Sequence, residues 1–276
     1  MLGPALTGLV LLALLGGYLV AVVAAHRRQR RWPRRRTAAW CAGLACAGLA
    51  CAAAALPGPA GGSAHGGFLA HMTAHLLLGM LAPLLLVLAA PVTLLLRALP
   101  VRHARRVSRV AAAVPVRVLS HPVTAAALNA GGLWLFYTTG LYAAAGEHPA
   151  VHLLVQAHVF AAGYLLTAGL LAVDPAPHRV GYPTRAAVLV AFLAAHGILA
   201  KHLYAHPPIG VTVDEAQAGA MLMYYAGDLV DLVIIVLLCR RWYAATRPRP
   251  VERSGALRTV RVAPFTEKTG ATHTFG

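Results

Sequence analysis

The sequence predicts an all-α membrane protein, a seven-transmembrane helix bundle with its amino terminus outside and its carboxyl terminus in the cytoplasm. Three observations predict it. Hydrophobic residues make up 59% of the 276 and charged residues only 12%, with a mean hydropathy of +0.66. A soluble domain carries about 25% charged residues. The apolar residues gather in runs close to the ~20 residues that cross a bilayer as a helix. The positive charge, finally, is confined to a few short connections and the tail, the pattern of cytoplasmic loops.

The seven runs are 2–25, 38–56, 68–96, 119–142, 150–173, 186–204 and 218–239. The first resembles a signal peptide only in its apolarity. Its basic block, "HRRQRRWPRRR", follows the run instead of preceding it, which marks a retained helix with an outside amino terminus. The second run carries Cys41, Cys46 and Cys51 at spacings of five with no CxxC pair, and these read as small buried residues in an Ala/Gly-rich helix. The third run is long enough to need tilt, a kink at Pro83 or Pro91, or a partly interfacial end. The fourth begins beside His121 and Pro122, and the fifth opens with Pro149 in its first turn. The seventh holds Asp228 and Asp231, and a carboxylate inside a membrane is a functional candidate by default. Residues 1–239 therefore form the transmembrane domain. Residues 240–276, rich in Pro, Gly and Thr, read as a disordered basic tail that touches anionic headgroups.

Arginine and lysine counts test the orientation. Segments 26–37, 97–117, 174–185 and the tail from Arg240 hold 23 of the 24 basic residues. Only Lys201 falls elsewhere, where its stem can snorkel to the outer interface. The net charge of +16 thus reports topology, and nucleic acid is not a partner. No phosphate-binding glycine loop, GxSxG or HExxH occurs, and the seventh run has no lysine for a retinal Schiff base.

The 14 histidines divide by side. His26, His103, His178 and His273 fall in cytoplasmic segments, with His121 at the inner interface. The others fall in the outer half: His65, His71, His75, His148, His152, His158, His196, His202 and His206. Three pairs, His71/His75, His148/His152 and His202/His206, share an i, i+4 spacing that sets both rings on one helical face. Met72 and Met80 accompany the first pair, and Met221 and Met223 occupy the outer part of run seven. Met221 and Asp228, seven apart, fall near one face.

Imidazole with thioether suits copper, and methionine favours the cuprous ion. Zinc accepts imidazole and carboxylate but gains little from methionine. Haem held by two axial histidines, for example His158 with His196, is the rival reading, and without CxxCH it is not covalent c-type haem. A copper permease is a further alternative.

Two blocks resemble a known family. "HMTAHLLLGMLAPLLLVLAAPVTLLLRALP", followed by "HP" at 121–122, and "HPAVHLLVQAHVFAAGYLLTAGLLAVDPAP" are similar to the CtaG family of multi-pass assembly factors for caa-type cytochrome c oxidase. The resemblance covers about residues 65–240 and leaves the cysteine-bearing second run outside. It implies a bacterial plasma-membrane protein needed to mature the oxidase by supplying or inserting copper, with oxidase subunits as partners. The family motif falls on His71, Met72, His75, His152 and His158, and on Asp174–Pro175. Run seven departs from the pattern: "DEAQAGAMLMYYAGD" separates Asp214 from Gln217 and puts Tyr224 after Met223 where Trp is usual.

The resulting expectation is a copper-handling site at the outer end, and no catalysed reaction. His71 and His75 are its first ligands, Met72 favours Cu(I), and His152 and His158 continue it. His148, His202, His206 and Met221 are additional candidates. Asp228 is expected deeper in the bundle, orienting a ligand or carrying a proton. Since imidazole binds metal when neutral, the site weakens below about pH 6.

Overall fold

The computed structural model describes residues 2–55, 67–175 and 179–247, and among these every regular element is a helix. Two apolar helices come first, α1 (Leu2–Arg27) and α2 (Arg34–Ala55). The third run is a composite: α3 (Gly67–His75), a π-helical turn (Leu76–Leu81), α4 (Ala82–Leu88) and α5 (Pro91–Ala98). Two short helices follow, α6 (Val101–Ala112) and α7 (Val114–Leu119). The remainder comprises α8 (Pro122–Thr138), α9 (Leu141–Glu147), α10 (Pro149–Leu171), α11 (Tyr182–Ala205) and α12 (Val213–Thr246).

Six stretches are long and apolar enough to cross a membrane: Leu6–Arg27, Arg34–Ala53, Gly67–Ala98, Pro149–Leu171, Tyr182–Ala205 and Val213–Thr246. The run expected over 119–142 is shorter. Its helix, α8, has 17 residues, about 25 Å at 1.5 Å per residue, against a hydrocarbon core of ~30 Å. The chain leaves helical geometry at Thr139 and restarts as α9. Segment 97–117, expected as a loop, is helical over most of its length. Its valines alternate with Arg102, Arg105, Arg106 and Arg109 at helical spacing, and none of α6 is buried. Run seven also continues past residue 239, because α12 extends to Thr246. The tail expectation otherwise concerns 248–276, outside the described residues, as do His65, His178 and His273.

The composite helix is the centre of the bundle. α3 packs against α2 and α12, the π turn against α10, and α4 against α2 and α10. Beside them, α8 packs on α10 and α11, and α11 on α12. α1 is peripheral, held to α2 and α5. Its anchor is Tyr18, which stacks on Trp40 at 4.5 Å, accepts from Trp32 Nε1 (3.0 Å) and donates to the Ala89 carbonyl (3.1 Å).

Of the two prolines where a kink is expected, Pro91 marks the break. Ala90 takes a left-handed conformation (φ 52°), and Pro91 opens α5. The amides of that helix start, which lack partners within the helix, are met from 81 and 82 residues away in sequence. Asp174 accepts from Thr93 N (2.7 Å), Thr93 Oγ1 (2.6 Å) and Val92 N (3.2 Å). A carboxylate capping a helix amino terminus satisfies orphan donors and opposes the helix dipole. This contact ties the "APVT" block to the "DP" that follows α10.

A second close fit sets the depth of α10 against the centre. Gly163 of α10 lies on the carbonyl oxygen of Gly79 in the π turn, so near that any Cβ would collide with it. Small residues let membrane helices approach in this way. Pro83 contributes too, since it has no N–H to offer the Gly79 carbonyl four residues before it.

Candidate functional site

His71, His75 and His152 collect at the end of the bundle opposite the arginine-rich connections, where α3, α8, α9 and α10 meet. Residues 68, 71, 72 and 75 cover a little over two turns of α3, and Phe68, Met72 and His75 are buried. Aromatic side chains surround His71. Its ring stacks on Phe136 (5.6 Å, 23°) and meets Tyr142 edge-on (5.3 Å, 86°). Nε2 of His71 is hydrogen bonded to the Tyr137 hydroxyl at 3.0 Å, and that hydroxyl donates to Met72 Sδ at 3.6 Å. One phenol thus holds an imidazole and a thioether together.

His71, His75 and His152 line a single small cavity of about 20 Å³, with Gln156, Tyr137 and Phe136 among its other walls. That is room for roughly one water molecule or one ion. Gln156 lies one turn from His152 on α10, and their side chains are hydrogen bonded at 3.3 Å. The structure thus brings together four of the five expected residues: His71, Met72, His75 and His152. Among the described residues, no three His, Cys, Asp or Glu side chains are grouped so that they would hold one metal ion.

His158 lies elsewhere. Six residues beyond His152, it is turned about 240° around the helix at 100° per residue. It is exposed, fills the space over Gly132 and hydrogen-bonds the Leu128 carbonyl on α8 at 3.1 Å. His196, its expected axial partner for haem, is buried on α11 against Phe192 and Gly227. The two rings thus occupy different environments.

The additional candidates also separate from the cavity. His148 is exposed at the start of α10. His202 and His206 stack on each other at 4.6 Å, with His202 against Trp134 at 5.6 Å. Met221 and Asp228 do share a face of α12, but it is the exposed one. The buried stripe of α12 is Ala216, Gly219, Ala220, Met223, Gly227, Asp231, Ile234 and Leu238. The interior carboxylate is therefore Asp231, not Asp228, because three residues turn a side chain by about 300°, about 60° short of a full turn, which carries it from the exposed face onto the buried stripe.

Below the cavity the bundle encloses further polar groups. His75 is 7% exposed, His196 3% and Asp231 2%. Nε2 of His75, Nε2 of His196 and both carboxylate oxygens of Asp231 have no hydrogen-bond partner among the described residues. Unpaired buried polar atoms are costly and uncommon. Sequence reasoning passed over Tyr137, Phe136 and Gln156. Only the i, i+4 relation of Gln156 to His152 signalled its place.

These features define a polytopic helical membrane protein with an imidazole-lined cavity near one end and a thioether beside it. The chain belongs to the cytochrome c oxidase caa3 assembly factor family, whose pattern it matches over residues 16–245. The match extends the resemblance back through α2 and its cysteines, which sequence reading had left outside. Among curated proteins, an uncharacterized protein of Mycobacterium bovis is 29% identical over 254 residues, covering 82% of this chain and 37% of that protein. An uncharacterized protein of Mycobacterium tuberculosis matches with the same figures. One of Mycobacterium leprae is 27% identical over 249 residues, again 82% and 37%. The chain therefore spans little more than a third of the length of these relatives. No solved structure matches it.

Proposed function

We propose that this chain receives copper as Cu(I) at the histidine end of the bundle and passes it sideways to a cytochrome c oxidase subunit in the same bacterial plasma membrane. The reading takes α8 as a seventh passage and places the histidine end outside, in keeping with the arginine distribution. Its main support is one observation: imidazoles from two helices, His71 and His75 on α3 and His152 on α10, line one cavity beside the Met72 thioether. Neutral imidazole and thioether donors suit Cu(I). Zinc accepts imidazole but gains little from a thioether. In this reading copper is cargo, and no bond of a substrate is made or broken.

The test is genetic. Replacing the gene with a His71→Ala, His75→Ala version should lower the amount of assembled, copper-loaded oxidase and leave total cell copper near normal. Normal oxidase in that strain would overturn the proposal. A fall in total cell copper would replace it with a permease.

A further inference from the structure

We propose that His75, Met80 and His196 form a second, buried station for a soft monovalent cation, reached from the His71–His152 cavity through the shared His75. The inference rests on the copper reading only for the identity of the ion.

The π turn makes the station possible. In an α-helix, residues five apart differ by about 140° in direction, so His75 and Met80 would diverge. A π turn closes i→i+5 bonds, and here Ala82 N bonds to the Leu77 carbonyl. Residues five apart are thereby brought toward one face, and His75 and Met80 are such a pair. π turns of this kind recur at functional sites.

α11 and α12 supply the opposite wall. A Cβ at Gly227 would sit 3.0 Å from His196 Cε1 and 3.8 Å from Met80 Sδ, so these two atoms lie within about 7 Å of each other. With no side chain at 227, the His196 ring packs directly against the α12 backbone there. The His75 and His196 ring centroids are 6.4 Å apart, with planes 26° from parallel. Two imidazoles on one ion, with metal–nitrogen bonds of ~2.0 Å, place their centroids at a similar separation. Both Nε2 atoms are buried and unpaired, and a cation would satisfy them together.

The donor set selects the ion class. Two neutral imidazoles and a thioether carry no charge, and the cost of burying an ion rises with the square of its charge. A monovalent soft ion therefore enters far more readily than a divalent one, and thioether adds preference for it. Asp231, one turn beyond Gly227 and buried with both oxygens unpaired, is placed to balance a single positive charge.

The experiment uses the full chain in nanodiscs, with Cu(I) under anaerobic, reducing conditions and a competing chelator. The His71→Ala, His152→Ala chain removes the outer station and keeps all three inner ligands. It should still bind one Cu(I), with a sulfur scatterer in its X-ray absorption spectrum. Adding Met80→Leu, similar in volume, should remove the sulfur signal and weaken binding at least tenfold, and adding Gly227→Ala should weaken it too. Loss of all binding in the His71→Ala, His152→Ala chain would overturn the inner station and leave the outer one standing. Sulfur scattering unchanged by Met80→Leu would overturn it as well. Retention in that chain, with no effect of the outer pair on wild-type affinity, would support the inner station and reject the outer one. No Cu(I) bound by the wild type would reject both.

Discussion

Replacing Gly163 with alanine places a methyl group on the carbonyl oxygen of Gly79. The new Cβ would also lie 3.0 Å from the Gly79 carbonyl carbon and 3.3 Å from Pro83 Cγ. Comfortable contacts between carbon atoms are about 3.5–4.0 Å, so α10 must withdraw by about 1 Å. Overpacking of this kind costs about 1–3 kcal/mol, and each 1.4 kcal/mol is a factor of ten in the folding equilibrium. The π turn holds backbone on one side of the contact and α10 backbone on the other, so no flexible side chain absorbs the shift. Because His152 rides on α10, about 16 Å further along the helix, the wall it gives the cavity should move with it. The assay is the thermal unfolding midpoint in nanodiscs, paired with Cu(I) affinity. Gly131→Ala is the control, since a Cβ there meets nothing within 4 Å. It should be neutral or stabilising by up to about 1 kcal/mol through helix propensity. If Gly163→Ala were as stable as Gly131→Ala, the close approach of α10 to the π turn would be refuted.

Further outcomes follow from the same geometry. Asp174→Ala removes three hydrogen bonds from the start of α5 and should cost about 1–2 kcal/mol, read as a lower unfolding midpoint with Cu(I) affinity unchanged. Tyr137→Phe frees Nε2 of His71 and Sδ of Met72 from the phenol. It should lower stability by about 1 kcal/mol and tighten Cu(I) binding severalfold, because fewer hydrogen bonds must break before the ion is held. His158→Ala should leave Cu(I) affinity within about twofold, since that ring bonds the Leu128 carbonyl away from the cavity.

Much of the architecture could be read from the sequence because lipid imposes a length and an apolar composition on any helix that crosses it. The runs beginning near residues 2, 38, 68, 150, 186 and 218 each became a helical stretch long enough to span. Facing was less legible. In a soluble helix the polar stripe points outward, but in lipid both faces are apolar. Nothing in the composition of α12 distinguished Asp228, which is exposed, from Asp231, which is buried. The i, i+4 spacing correctly paired His71 with His75, yet spacing within one helix cannot reveal that His152 points toward that pair and His158 away from it. The π turn was invisible for a related reason. "LLLGML" has no residue that demands i→i+5 bonding, and the register follows from Pro83, Gly79 and the approach of Gly163 together. Asp174 was noticed as half of a "DP" pair, but its role depends on α5, which starts at Pro91, far earlier in the chain.

The central claim is that the histidine end binds cuprous ion through α3. The most direct measurement is an anaerobic Cu(I) competition titration of the purified chain against its His71→Ala, His75→Ala version, with the visible spectrum recorded first. The account predicts a colourless protein whose affinity falls at least a hundredfold when both imidazoles are removed. Equal affinity in the two proteins, or a Soret band with stoichiometric haem in the wild type, would contradict it.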